Sequence, residues 1–120
     1  MAIKVTLYIP CFNGEQTLPF CLAGALSQSL VPDEIIVVDD GSSDRTARIA
    51  KRYGVKLVQH DRNLGLSAAR NTAIRESTGD LIAALDADCV PERGWLEAMV
   101  KLMEANPGLT GIGGAVLETN

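Results

Sequence analysis

The sequence predicts an α/β fold in which helices flank a mainly parallel sheet of about five strands. Short apolar segments of strand length alternate four times with segments of helical periodicity along the 120 residues. Residues 35–38 are apolar at every position, which is typical of a strand buried on both faces of a parallel sheet. Crossovers between parallel strands are right-handed and place helices on both faces. At this length we expect one domain, residues 1–120.

The first half of the chain is predicted to form two strands and the helix between them. Residues 3–9 suit a first strand that ends at Pro10. A helix is expected over residues 15–28, and Pro19 is tolerated because it lies in or near the first turn. The second strand is predicted over residues 35–38.

The second half continues the alternation. A side chain among residues 42–44 is expected to cap the second helix. The later elements are a helix to about Tyr53, a strand over 55–58, a helix from Ser67 stopped by Gly79, a strand over 81–85, a helix from about Gly94 to Ala105, and a last strand over 110–117.

Polar motifs follow three of these strands. Parallel α/β sheets bind ligands at the carboxyl ends of their strands, so we expect the motifs to form one site. They are Pro10-Cys11-Phe12-Asn13 after the first strand, Asp39-Asp40 after the second, and Asp86-Ala87-Asp88 after the fourth.

Asp86 and Asp88 are the predicted metal ligands. Side chains two apart on an extended chain point the same way, so the two carboxylates should converge. Two like charges about 4 Å apart repel by roughly 4 kcal/mol at an effective dielectric near 20, which a divalent cation offsets. An all-oxygen site suits Mg²⁺ or Mn²⁺ and leaves room for phosphate oxygens. The functional interpretation is a metal-bridged diphosphate, and the alternative is a solvated acidic turn.

The other motifs also carry alternatives. A carboxylate of Asp39 or Asp40 can accept from the imide N–H of a base such as uracil, or can serve turns and helix caps. Phe12 could stack on the base or pack in the core. Arg70, in the first turns of the helix from Ser67, could neutralise an anion or brace the loops.

Composition argues against several other functions. The net charge is −4 and no Lys/Arg cluster stands out, which disfavours a nucleic-acid polymer or an anionic membrane as the main partner. No apolar run approaches the roughly twenty residues that span a bilayer, and the first residues lack a signal-peptide pattern, so we expect a cytoplasmic location. Cys11, Cys21, Cys89 and the single His60 show no zinc-type spacing, and the thiols are expected to act as small apolar side chains.

Taken in order, the three motifs together with Asn63-x-Gly65 and Ala69-Arg70-Asn71 resemble the nucleotide-binding half of family 2 inverting glycosyltransferases. The resemblance implies a GT-A, Rossmann-like fold and transfer of a sugar from a nucleotide diphosphate donor, most often UDP-linked, with Mg²⁺ or Mn²⁺. It implies nucleotide contacts from Pro10, Phe12, Asn13, Asp39, Asp40, Arg70 and Asp86, in which Asp40 reads the base with support from Asp39. Asp88 would ligate the metal, with Asp86 near the ribose or the hydrated ion.

The same resemblance places the general base beyond residue 120, in an acceptor-binding half that this chain lacks. We therefore expect nucleotide binding without efficient transfer. The alternative is a non-catalytic nucleotide-diphosphate binding module, or a subunit completed by a partner chain. The predicted strand over residues 110–117 would have an exposed edge, which invites self-association.

Overall fold

The computed structural model describes residues 3–108, in which four strands alternate with four helices. The strands are β1 (Val5–Cys11), β2 (Glu34–Asp39), β3 (Lys56–Gln59) and β4 (Leu81–Ala84). The helices are α1 (Leu18–Leu26), α2 (Thr46–Arg52), α3 (Leu66–Glu76) and α4 (Trp95–Ala105). The predicted alternation is confirmed. The fifth predicted strand, with the edge proposed for self-association, lies outside the described residues.

All strand pairs are parallel, in the order β3-β2-β1-β4. Strand β1 therefore lies between β2 and β4: Cys11 is in register with Asp39, and Tyr8 with Ala84. The chain adds β2 and β3 on one side of β1 and then returns to add β4 on the other. Such a reversal opens a crevice at the carboxyl ends of the strands, where ligands bind in sheets of this type.

The two faces of the sheet are covered by different helices. Odd-numbered residues of β1, among them Leu7 and Ile9, pack against α1 and α2, and Val5 packs against α4. Tyr8 on the opposite face packs with Ala69 and Ala73 of α3. Side chains alternate between the two faces along a strand, and both β1 and β2 are buried at nearly every position, so each is covered on both faces. This confirms the prediction made for β2.

Element ends differ from the prediction by a few residues. Helix α1 starts at Leu18 rather than at residue 15, because the backbone first makes a turn in which Gly14 O accepts from the N–H of Thr17 and of Leu18. At the start of α2, Asp44 is the residue among 42–44 whose side chain binds the first turn: its Oδ1 accepts from Thr46 N at 2.9 Å. Among residues 3–108, no helix has the length and apolar character needed to cross a bilayer.

Candidate functional site

Three loops meet at the carboxyl edge of the sheet, and they contain the predicted motifs. The N–H of Asp40 donates to Cys11 O at 2.9 Å, which fixes the end of β2 beside the end of β1. A β-carbon placed on Gly14 would lie 3.9 Å from that of Ala87, so the loop after β1 also contacts the acidic segment after β4. The loops that carry the acids thus lie on either side of β1, and their strands, β2 and β4, are two strand spacings or about 10 Å apart.

The loops after β1 and β2 are tied together by Asn13. Its N–H donates to Ser42 Oγ at 2.8 Å, and its Oδ1 accepts from the N–H of Ser43 at 2.9 Å. Asn13 adopts φ +49°, in the left-handed region that asparagine tolerates better than most residues. Asn13, which the sequence predicts to contact the nucleotide, therefore already uses its side-chain oxygen to hold the loop after β2.

Asp40 is the centre of a buried hydrogen-bond network. The residue is 4% exposed, and its carboxylate accepts from three donors: the N–H of Leu64 at 2.9 Å, the N–H of Gly65 at 2.9 Å, and His60 Nδ1 at 2.8 Å. Burial by itself raises the pKa of Asp40, but these hydrogen bonds outweigh it and hold the pKa below its usual value. The other ring nitrogen of the histidine, Nε2, lies 2.8 Å from Thr72 Oγ1 of α3.

Asp39 is buried too, at 2% exposure, but it is less fully bonded. Its Oδ1 accepts from the N–H of Ser42 at 3.0 Å, and its Oδ2 lies 3.5 Å from Gln59 Nε2. Both aspartates therefore perform the turn and loop chemistry named as the alternative. Each carboxylate oxygen has two lone pairs, so Asp39 Oδ2 has capacity for a further donor.

The sequence reasoning missed His60. It follows β3 directly, and its N–H donates to Asp39 O at 2.9 Å, which extends the pairing of β2 and β3 by one bond. The carboxyl ends of parallel strands meet at one edge of the sheet, and this holds for the residue after β3 as it does for the aspartates. Because β3 is the neighbour of β2, His60 lies beside Asp39 and Asp40.

The side chains expected to contact the base and the diphosphate differ in exposure. Phe12 is 51% exposed, so the alternative of core packing is wrong. Pro10 is half-buried at the end of β1. Arg70 is exposed in α3, and its guanidinium makes no hydrogen bond or ion pair with any residue in the described range 3–108. The ring and the guanidinium are both available to a ligand.

Asp86 and Asp88 project into solvent from the segment after β4. One carboxylate oxygen of each aspartate and Cys89 Sγ all lie within 4.8 Å of one another. The segment is fixed by its backbone: the N–H of Cys89 donates to Asp86 O at 3.0 Å, and Cys21 Sγ donates to the same oxygen at 3.5 Å. Because both carboxylates are exposed, solvent screens the repulsion between them, and this repulsion alone gives little reason for a cation to bind. The stronger reason is that the donor atoms converge.

The donor set fits a hard divalent ion. Ligand oxygens at about 2.1 Å from an ion are at most roughly 4 Å apart, and small side-chain rotations bring the two carboxylates within that range. Burial raises the pKa of Cys89, and the adjacent Asp88 and Asp86 raise it further, so this residue is a neutral thiol at pH 7. The acids are therefore the charged donors at this position.

The other two cysteines are buried, as expected. Burial raises the pKa of Cys11 to about 11 and that of Cys21 to about 12. At neutral pH both are protonated, and they pack with the apolar residues between β1 and α1.

Comparison with known proteins gives consistent matches. The profile of the family described as "Glycosyl transferase family 2" matches residues 6–115. The glycosyltransferase AglE of Haloferax volcanii is 35% identical over 119 residues, which cover 93% of this chain and 39% of AglE.

Two solved structures superpose closely. The mannosyltransferase PcManGT from Pyrobaculum calidifontis, in complex with GDP-Man and Mn²⁺, has a TM-score of 0.80 at 29% identity over 86% of this chain and 33% of that chain. Residues 1–349 of S. aureus TarS, in complex with UDP, have a TM-score of 0.80 at 23% identity over 98% of this chain and 38% of that chain. The chain therefore spans well under half the length of each of these proteins.

Proposed function

This chain belongs to glycosyl transferase family 2, and on that premise we propose that it is the donor-binding part of an inverting, metal-dependent glycosyltransferase. Its parallel sheet and flanking helices form the GT-A fold. The observation that carries the proposal is the meeting of the loops after β1, β2 and β4 at one edge, with the acids of two loops on either side of β1. The proposal also includes the expectations of a single domain over residues 1–120 and of a cytoplasmic location.

The donor is a nucleotide diphosphate sugar, and UDP is the favoured nucleotide. Asp40 would read the imide N–H of the base, with Asp39 supporting it. Asp39 is the less fully hydrogen-bonded of the two aspartates, and its Oδ2 can accept from a further donor. Phe12 would stack on the base beside Pro10, since its ring is half exposed at the same edge. Stacking on an aromatic ring contributes about 1 to 3 kcal/mol per base.

The diphosphate and its metal ion would occupy the crevice between β1 and β4. Asp88 would ligate Mn²⁺ or Mg²⁺, with Asp86 near the ion or the ribose, and the exposed Arg70 would offset anionic charge. When bound, the ion offsets the negative charge that develops on the departing nucleoside diphosphate. PcManGT, 29% identical to this chain, was solved with Mn²⁺ and GDP-Man, which supports a divalent metal and a nucleotide diphosphate sugar.

Transfer also requires a general base that deprotonates the acceptor hydroxyl. The chain corresponds to 39% of AglE, and we place the base and the acceptor site in the part of such proteins that lies beyond residue 120. The chain alone would then bind the donor without efficient transfer. Robust sugar transfer by this chain to an added acceptor would contradict that assignment.

Thermal unfolding with nucleotides tests the donor and metal site together. UDP, GDP and CDP are each added with and without Mn²⁺. Ligand at 100 times its Kd stabilises by about 2.7 kcal/mol, roughly 10 °C for a domain of this size. UDP with Mn²⁺ should give the largest shift and CDP the smallest. No shift with any nucleotide would refute the proposal.

Asp88→Ala separates the metal from the nucleotide. This variant should lose the part of the shift that depends on Mn²⁺, while its unfolding temperature without ligand stays unchanged because the side chain is exposed. Asp80→Ala is the control for the Mn²⁺-dependent shift, since Asp80 is an exposed aspartate just before β4, on the opposite edge of the sheet, where its Oδ2 accepts from the N–H of Lys4 at 3.0 Å. A Mn²⁺-dependent shift that survives in Asp88→Ala would remove Asp88 from the metal site.

A further inference from the structure

Helix α1 lacks the polar face expected of a surface helix. None of its nine residues, Leu18–Leu26, is polar or charged. A helix that is apolar on all sides is normally buried on all sides. Here the outward side is uncovered by the described residues: Phe20 is 66% exposed, Leu26 is 42% exposed, and Ala23 is exposed between them.

More apolar surface borders this helix. Val90 is 64% exposed, and its Cγ1 would lie 3.3 Å from a β-carbon placed on Gly24 of α1. Val31, just beyond the end of the helix, is 61% exposed. Large exposed apolar patches mark surfaces that bind a partner.

Helix α2, beside α1, contributes positive charge. Residues 45–59 contain five of the chain's 11 lysines and arginines and no acid, whereas the rest of the chain carries all 15 acids. Arg45, Arg48 and Arg52 follow a spacing of three and four residues and therefore share one side of the helix. Within residues 3–108, none of the three guanidinium groups has an acidic side chain within 4.0 Å.

The arginines and α1 border one groove of about 610 Å³, which also contains Pro19 and Ile49. Glu15 is the acid at its rim, and its carboxylate accepts from the backbone N–H of Arg45 at 3.2 Å. The sequence suggested that no cationic cluster was present. The fold assembles one, because Arg45, just before α2, and Arg48 and Arg52 within it line the same groove.

We propose that the surface formed by the outward side of α1 and the arginine side of α2 docks the protein on an anionic membrane. The arginines would bind lipid phosphates while Phe20 and Leu26 enter the boundary between headgroups and acyl chains. Long arginine side chains reach phosphates while their aliphatic parts cover apolar surface. This contact is peripheral and does not depend on nucleotide binding.

Charge favours a lipid surface over a second copy of the chain. In a two-fold dimer both copies bury the same patch, so Arg45, Arg48 and Arg52 of both copies would be gathered in one interface. Anionic headgroups present the opposite charge at high density. A helix that lies along the membrane surface does not need the length to cross the bilayer.

Vesicle flotation tests the proposal. The chain, without nucleotide, is mixed with vesicles of phosphatidylcholine alone or with about a third phosphatidylglycerol. We expect binding only to the anionic vesicles at low salt, and its loss at about 0.5 M salt, where charge is screened within about 4 Å. Failure to bind anionic vesicles at low salt would overturn the proposal.

Paired variants locate the contact. Arg48→Glu reverses one cation and should weaken partitioning roughly thirtyfold, because each cation near an anionic surface contributes about 1 kcal/mol. Phe20→Ser should weaken it about tenfold by removing inserted apolar area. The controls are Arg75→Glu and Ile74→Ser on α3, which covers the opposite face of the sheet, and both should bind like the parent chain.

Two outcomes would overturn the assignment of this surface. Equal weakening by Arg48→Glu and Arg75→Glu would show that only net charge matters. A dimer of the parent chain in gel filtration without lipid, dissociated by Phe20→Ser, would show that a second copy covers the helix instead. Thermal unfolding of all four variants establishes that they are folded, and the exposed positions chosen make this the expected result.

Discussion

Replacing Asp40 with asparagine should destabilise the chain by about 2 to 3 kcal/mol. The carboxylate accepts hydrogen bonds from His60 and Leu64 on Oδ1 and from Gly65 on Oδ2, all at 2.8–2.9 Å. Asparagine keeps one acceptor oxygen, so its NH₂ group must face one of these donors. The variant loses a hydrogen bond to a charged group, which contributes about 1.5 to 3 kcal/mol, and leaves a donor unsatisfied.

Urea unfolding followed by circular dichroism and by Trp95 fluorescence measures this change. The matched control is Asp61→Asn, a neighbouring exposed aspartate that makes no side-chain hydrogen bond with the described residues, and it should change the free energy of unfolding by less than about 0.5 kcal/mol. An Asp40→Asn variant as stable as this control would refute the reasoning.

The effect should depend on pH in one direction. Hydrogen bonds from His60 and the loop N–H groups outweigh burial and lower the pKa of Asp40, so the native state binds a proton less readily than the unfolded state. The stabilisation is complete above the unfolded pKa of about 3.9 and is lost as the pH falls through the lower native pKa. The stability gap between parent and Asp40→Asn should therefore narrow below about pH 4. A gap that stays constant down to pH 2 would contradict the assigned cause.

Three further predictions concern the loops and thiols. Gly41→Ala should destabilise the chain by about 2 kcal/mol or more in urea unfolding, because Gly41 has φ +75° and a β-carbon there would clash with the backbone of Arg62 and Asn63; a loss under about 0.5 kcal/mol would contradict this. Phe12→Ala should weaken UDP binding five- to a hundredfold in calorimetry with no loss of thermal stability, and unchanged affinity would remove the stacking role. Cys89, half-buried, should react with a thiol reagent at pH 8 well before Cys11 and Cys21, and equal rates would show that the buried thiols are accessible.

The fold could be predicted because its signals are local. The apolar runs of β1 and β2 are long enough to identify buried strands, and alternation with helical segments then implies a parallel sheet. The same topology placed Asp40 and Asp88 at one edge before any contact was known. The order of the strands in the sheet cannot be read from the chain alone. The observed order, with its reversal at β1, is consistent with a site at the carboxyl edge.

The side-chain partners could not be predicted, because they depend on long-range packing. That His60 bonds Asp40 across 20 residues follows from the pairing of β3 with β2, which the sequence does not state. The exposure of Phe12 likewise depends on which loop covers it. The sequence shows the spacing of the arginines on α2. That they lie beside the exposed apolar side of α1 depends on how the two helices pack, which the sequence does not state.

The acidic segment after β4 is secured by groups that do not depend on its own side chains. Leu85 N–H donates to Tyr8 O, Cys89 N–H donates to Asp86 O, and downstream Gln28 Oε1 accepts from the N–H of Leu96. Substitutions at Asp86 and Asp88 therefore change which side-chain donors stand at this position, while the main-chain hydrogen bonds that hold the segment remain.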